Sequence, residues 1–178
     1  MSTRVVLSNI LSSSALCCFK RRLPKYIETP ESLLTEENMV LPTWENTISF
    51  VPPIHTGYVI KVYDGDTITV ASKLPFSDSP MYRFQVRMNG IDCPELKSKN
   101  DTEKLVAKMA QDVVSKLILG KHVCLENIQM EKYGRLLADV RIGNLNINHH
   151  LVENRLAVAY DGGTKSSPKD WLEYYTKG

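Results

Sequence analysis

Residues 57–70 read GYVIKVYDGDTITV, and this stretch decides how the folded part of the chain begins. Two runs rich in β-branched and aromatic residues, 58–63 and 67–71, flank the short sequence DGD. Such runs are typical of strands, and the tight turn between them makes the two strands neighbours. The turn carries Asp64 and Asp66. Two acids so close together repel each other, so a positive group is expected beside them.

Three further strands are predicted. Residues 82–88, YRFQVRM, alternate without a fault between an apolar face and a face that carries Arg83 and Arg87. HVCLENI (122–128) and RLLADVRI (135–142) read as two more strands, separated by a turn at EKYG.

Three helices are predicted. The first spans about 101–119, because Asn100 and Glu103 form a capping-box pattern and Leu105, Met109, Val113 and Leu117 recur every four residues. A short helix is expected near 147–154. The last helix is expected to have Ser167 as its cap and Pro168 at its first position.

The order of these elements is three strands, a helix, two strands and then helical pieces. Strands and helices do not alternate regularly, which disfavours a doubly wound sheet. We therefore predict an α+β, strand-dominated fold, a five-stranded antiparallel barrel with about three helices.

Charge divides the chain near residue 56. Residues 1–27 contain Lys and Arg but no acid, and residues 28–56 contain Glu but neither Lys nor Arg. Both signs mix from residue 57 onward, as on the surface of a folded domain. We predict a poorly ordered extension over 1–56, ending in a proline-rich acidic linker, and a folded domain over 57–178. The net charge of +2 is too small to indicate nucleic-acid binding by itself.

The opening segment leaves three readings open. Its Ser-rich, acid-free composition suits an organelle-targeting helix, whereas Cys17 and Cys18 beside a basic cluster suit a lipidated helix on a membrane surface. The third reading is a disordered tail. The cysteines show no disulfide or zinc spacing, so we expect an intracellular protein. It would be membrane-associated or mitochondrial through residues 1–27, and otherwise cytoplasmic.

The acids around the predicted strands suggest a metal site. Asp66 precedes one strand and Asp92, in the sequence IDCPE, follows another. If those strands are neighbours in the barrel, both carboxylates can bind one hard cation such as calcium, which prefers oxygen ligands. Glu95, held by Pro94 in a turn, would then orient and deprotonate a water molecule beside the ion.

Two arginines complete this pattern. Arg87 lies on the polar face of its strand and Arg135 opens another, after Lys132 and Tyr133. Guanidinium groups stabilise the negative charge that gathers on a phosphodiester attacked by water. Each feature alone has an ordinary explanation, a hairpin turn or an exposed side chain. Their joint occurrence on one barrel favours phosphodiester chemistry.

The motifs GYVIKVYDGDTITV, RMNGIDCPE, EKYGRLLADV and NINHHLVENRLAVAY resemble, in content and order, the staphylococcal nuclease (thermonuclease-like) family over residues 57–176. The resemblance implies an OB-fold barrel and a calcium-dependent enzyme that cuts DNA, RNA or both. It implies that Asp66, Asp92 and the main-chain carbonyl of Cys93 bind calcium. Glu95 would be the general base, and Arg87 and Arg135 would bind phosphate.

The same resemblance implies that Lys132, Tyr133 and Tyr160 contact the nucleotide. Cys93 stands where the founding member has Thr, and Gly162 replaces a second tyrosine after Tyr160. The alternative hypothesis is a non-catalytic module that binds nucleic acid or protein. We expect a monomer.

Overall fold

The computed structural model describes residues 41–164 and 167–177. Within these ranges the elements occur in the following order: β1 Thr56–Val62, β2 Thr67–Ser72, β3 Tyr82–Met88, β4 Ile91–Asp92, α1 Asp101–Ile118, β5 His122–Met130, β6 Leu136–Ile142, β7 Leu145–Asn146, α2 Ile147–Glu153, β8 Val158–Ala159 and α3 Trp171–Thr176.

The five long strands form a closed barrel. β1 pairs antiparallel with β2 and with β5, β2 pairs with β3, and β5 pairs with β6. A parallel pairing of β3 with β6 closes the ring. The predicted strand-dominated, five-stranded OB-fold barrel with three helices is therefore confirmed, with the difference that its closing pair is parallel.

The short strands were not predicted from the sequence. β7 pairs antiparallel with the end of β6, while β4 pairs with β8 in a separate two-stranded sheet. In that sheet Ile91 lies opposite Ala159 and Asp92 lies opposite Val158. This pairing fixes the backbone around Asp92 and brings Tyr160 close, since the Tyr160 amide donates to the Gly90 carbonyl at 2.9 Å.

The turn between β1 and β2 packs tightly against α1. The Tyr63 amide donates to the Thr67 carbonyl at 2.9 Å, which closes the turn. A Cβ atom at Gly65 would lie 2.8 Å from the Cβ of Ala110 and 2.8 Å from the Sγ of Cys93. Only glycine allows this approach, because side-chain carbon atoms do not normally pack so closely.

Helix α1 buries a different row of residues from the predicted one. Val106, Ala110, Val114 and Ile118 are fully buried, whereas Leu105 is 52% exposed. Met109, Val113 and Leu117 are partly buried against the same core. The prediction was off by about one residue because two adjacent rows of this helix are apolar, and periodicity alone does not choose between them.

Two predicted helix starts also need correction. Asn100 caps α1 through the Thr102 amide, at 3.0 Å, but Glu103 does not complete a capping box and instead contacts the loop before the helix. The last helix does not begin at Ser167 and Pro168. It begins at Trp171, because the Asp170 carboxylate accepts from two amides of the first turn and the Trp171 side chain is buried in the core.

The predicted extension falls largely outside the described residues. Residues 1–40, which include the predicted targeting or membrane-surface segment, lie outside the described residues. The role of that segment therefore stays a prediction. Trp44, Ile48 and Phe50 are exposed, whereas Ile54, just before the predicted boundary, is buried in the core. No helix within 41–164 or 167–177 is long and apolar enough to cross a membrane.

Candidate active site

A cleft of about 660 Å³ opens beside the β1–β2 turn. Its wall contains all nine residues that the sequence predicted for the site: Asp66, Arg87, Asp92, Cys93, Glu95, Lys132, Tyr133, Arg135 and Tyr160. These residues come from segments up to 94 positions apart, Asp66 to Tyr160. The barrel therefore brings the predicted acids and arginines into one place.

Arg87 lies between the two predicted metal carboxylates. Its Nη1 donates to Asp66 Oδ2 at 2.5 Å, and its Nη2 donates to Asp92 Oδ1 at 3.0 Å. All three side chains are largely buried, with 13%, 6% and 3% of the side chain exposed for Arg87, Asp66 and Asp92. Burial would lower the pKa of Arg87, but the charge of Asp66 and the hydrogen bond with Asp92 raise it.

Asp66 is held from several sides. Its Oδ1 accepts from the Thr67 hydroxyl at 2.9 Å, and its Oδ2 accepts from the Cys93 amide at 3.4 Å. The Asp66 carbonyl accepts from the Met88 amide at 2.8 Å, which ties the turn to β3. The Cys93 thiol is buried, and burial raises its pKa well above the usual value. Cys93 therefore stays a neutral thiol beside the acids.

Asp64 is a third aspartate in the same cleft. Within residues 41–164 and 167–177, its Oδ1 is the buried side-chain atom without a hydrogen-bond partner. Burial and the neighbouring charge of Asp66 raise the pKa of Asp64 to about 6. A buried carboxylate oxygen without a donor is costly unless a cation or a proton compensates it.

The donor chemistry fits a hard divalent cation. Asp64, Asp66 and Asp92 together carry up to three negative charges, and the Arg87 guanidinium balances one of them. Carboxylate oxygens and a backbone carbonyl are what calcium prefers. In the described part of the chain, no group of three His, Cys, Asp or Glu side chains is already arranged around a common point. The acids that would bind the ion are at present bound by Arg87.

Glu95 lies on an exposed loop that is tied to α1. The Glu95 amide donates to Glu103 Oε1 at 3.1 Å, and the Ser98 hydroxyl donates to Glu103 Oε2 at 2.6 Å. The Ser98 amide donates to the Glu95 carbonyl at 3.1 Å. The loop therefore has a fixed backbone at Glu95, and the carboxylate that fixes it comes from the helix.

Arg135 also has an acidic partner in the cleft. Its Nε and Nη2 donate to the two carboxylate oxygens of Glu131, at 2.6 and 2.8 Å. The hydrogen bond from Arg135 lowers the pKa of Glu131, which therefore stays ionised. A guanidinium group carries five N–H bonds, so this pair orients Arg135 and leaves further donors for an anionic group.

Aromatic and basic side chains form the rest of the wall. Tyr133 is 73% exposed, and the Lys132 ammonium lies 4.9 Å from the centre of its ring. The Tyr160 hydroxyl donates to the Gly163 carbonyl at 3.0 Å. Lys97 and Tyr63 line the same cleft.

The sequence-based reasoning missed the residues that support the site. Glu103 was interpreted as a helix cap and Glu131 as part of a turn, and Asp64 was interpreted mainly as a turn former. A weak signal existed for Glu131, which precedes Arg135 by four residues, but that spacing is informative on a helix and not in a turn. Tyr63 was counted only as a strand residue.

Comparisons with known proteins point to a nuclease family. The model of the family described as staphylococcal nuclease homologue matches residues 85–177. The matched region contains Arg87, Asp92, Glu95 and Arg135, whereas Asp66 lies before it.

Individual relatives are more distant. A thermonuclease of Staphylococcus hyicus is 36% identical over 103 residues, 57% of this chain and 57% of that protein. An uncharacterised endonuclease of Haemophilus influenzae is 34% identical over 106 residues, 60% of this chain and 53% of that protein. A probable staphylococcal-like nuclease of Oryza sativa subsp. japonica is 32% identical over 72 residues, 40% of this chain and 18% of that protein. The chain thus spans about half the length of the first two.

Proposed function

Because the chain belongs to the staphylococcal nuclease homologue family, we propose that it is a calcium-dependent nuclease that hydrolyses phosphodiester bonds of DNA, RNA or both. The observation that carries the proposal is the cleft in which Arg87 joins two buried carboxylates while Glu95 and Arg135 line the same wall. All proposed catalytic groups come from one chain, so a monomer suffices.

Asp66, Asp92 and the carbonyl of Cys93 would hold the calcium ion. Bound there, calcium would supply positive charge next to the scissile phosphate and lower the pKa of an adjacent water molecule. Asp64, whose buried oxygen has no partner among the described residues, would add negative charge beside the same position. Arg87 keeps Asp66 and Asp92 together before the ion arrives.

Glu95 would act on the attacking water. It accepts a proton as the water oxygen attacks phosphorus, the bond from phosphorus to the leaving oxygen breaks, and that oxygen takes a proton from solvent. Arg87 and Arg135 would bind the nonbridging oxygens, where negative charge increases in the transition state. Glu131 orients Arg135, and Glu103 holds the backbone of Glu95.

The acids disfavour the alternative of a non-catalytic binding module. Three carboxylates in a cleft repel a polyanion unless a cation compensates them, so a site that only binds nucleic acid gains nothing from them. A site that binds calcium and phosphate together needs them.

Calcium dependence tests the proposal directly. We expect the full-length chain to cleave single-stranded DNA in calcium. Excess chelator should remove at least 99% of that rate, because the proposed mechanism needs an ion bound by the acids. Restoring calcium should restore the rate. Product formation is measured on denaturing gels. Asp66→Asn should be inactive in calcium, whereas Asp112→Asn, on the exposed side of α1, should cleave normally. Equal rates with and without chelator, or no cleavage in calcium, would contradict the proposal.

The Glu103 contact gives a second prediction. We expect Glu103→Ala to lower kcat by about 10–100-fold with little change in KM, because the backbone of Glu95 loses its acceptor and the base moves. Glu103→Gln keeps an amide oxygen as acceptor and should restore part of the rate. Initial rates are compared with Glu153→Ala, an exposed glutamate on α2. An unchanged kcat in Glu103→Ala would show that the loop holds Glu95 without this contact.

A further inference from the structure

Tyr63 is a large aromatic side chain that the core does not require. It follows β1 directly and precedes Asp64, the residue is 47% exposed, and it lines the same cleft as the acids and Arg135. The family resemblance assigns it no role. An exposed aromatic ring at the edge of a charged cleft is a group that can bind the flat face of a ligand.

The backbone of Tyr63 is fixed on both sides. Its amide donates to the Thr67 carbonyl at 2.9 Å, inside the turn. Its carbonyl accepts from the Gln111 side chain at 2.8 Å, so helix α1 holds it as well. The ring is therefore attached to a preformed part of the cleft and not to a mobile tip.

A lysine accompanies the ring. The Lys61 ammonium lies 5.4 Å from the centre of the Tyr63 ring, and both side chains are exposed. The same combination occurs at Lys132 and Tyr133, where the distance is 4.9 Å. Lys61 lies near the end of β1 and Tyr63 directly follows that strand, whereas Lys132 and Tyr133 lie in the β5–β6 turn. Both tyrosines and Lys132 line one cleft, and Lys61 lies outside its lining.

This combination matches the chemistry of one nucleotide. An aromatic face stacks on a base of any sequence, and an ammonium group nearby binds the phosphate attached to that nucleotide. A base that stacks on a side chain cannot at the same time remain stacked between its neighbours in a duplex.

We propose that Tyr63, together with Lys61, forms a base-stacking site for an unpaired nucleotide next to the scissile phosphate. The inference rests on the proposed nuclease function and extends it to a subsite on the β1–β2 turn. It also gives a reason why the chain can do without a tyrosine at Gly162: the ring that stacks on a base is supplied by another turn of the cleft.

Binding measurements test this site without relying on cleavage. The parent is full-length Glu95→Gln in calcium, and the probe is a fluorescent single-stranded DNA tetranucleotide. Adding Tyr63→Ala should weaken binding about tenfold, within the range for loss of one stacked base. Adding Tyr63→Phe should leave affinity within about twofold, because the ring remains. The matched control is Tyr58→Ala, a tyrosine on β1 that is 40% exposed and lies outside the cleft lining.

Abasic probes locate the contact. Each tetranucleotide of a series lacks one base but keeps every phosphate. At one position of the probe, removal of the base should weaken binding to the parent about tenfold. The same abasic probe should bind the Tyr63→Ala variant as tightly as the intact probe does, because the ring that would stack on that base is absent. Equal affinity of Tyr63→Ala and the parent, or equal weakening by Tyr63→Phe and Tyr63→Ala, would overturn the inference and leave the nuclease proposal standing. No binding by the parent itself would overturn both.

Discussion

Glu95→Gln is expected to lower kcat about 10²–10⁴-fold, the range for loss of a general base. Glutamine keeps the shape of the side chain and one oxygen that can accept a hydrogen bond from water, but it cannot take the proton. Substrate binding by Arg87 and Arg135 does not depend on that proton, so KM should change little. Initial rates on single-stranded DNA over a range of concentrations separate the two parameters.

The same substitution should leave the fold intact. Glu95 is exposed, and its backbone amide, which glutamine retains, donates to Glu103 Oε1. We expect the free energy of unfolding to stay within about 0.5 kcal/mol of the unsubstituted chain. Glu153→Gln, on the exposed surface of α2, controls for the loss of a surface charge. A kcat above one tenth of the unsubstituted value would exclude Glu95 as the base.

The barrel could be predicted because its signals are local. The alternation in residues 82–88 and the turn at Asp64–Asp66 each involve residues close in sequence, and both appear in the structure as β3 and the β1–β2 turn. The parallel pairing of β3 with β6 could not be predicted, because it joins Val86 to Leu136 across fifty residues. The periodicity of a sequence does not indicate which distant strands pair with each other.

The site residues also divide into those that the sequence predicted and those that only the structure shows. The residue pattern and the resemblance both led to Asp66, Arg87 and Arg135, but not to the partners that orient them. Glu103 matched a capping pattern and instead supports Glu95, because the loop places the Glu95 amide and the Ser98 hydroxyl within hydrogen-bond distance of the Glu103 carboxylate. Such choices depend on three-dimensional distance. The sequence therefore predicted which groups assemble and not how each is held.

Arg87→Ala is expected to cost about 3–5 kcal/mol of stability in the absence of calcium and to abolish cleavage. Arg87 bonds to Asp66 and Asp92, whose side chains are 6% and 3% exposed, and removing it leaves two buried carboxylates without their shared cation. Asp64, nearby and already with a raised pKa, adds to the repulsion. Urea unfolding in chelator measures the loss, and Arg83→Ala, exposed on the same strand, should stay within about 0.5 kcal/mol.

Calcium separates this electrostatic explanation from a simple packing defect. Arg87→Ala removes the guanidinium group that bonds to Asp66 Oδ2 and Asp92 Oδ1, so calcium should bind the folded variant and return part of the lost stability, about 2.7 kcal/mol at a hundred times its Kd. Activity should not return, because no guanidinium remains at this position to bind the phosphate. If the urea midpoint of Arg87→Ala in chelator equals that of the unsubstituted chain, the two acids do not need Arg87. If calcium leaves a lowered midpoint unchanged, the acids do not form a calcium site.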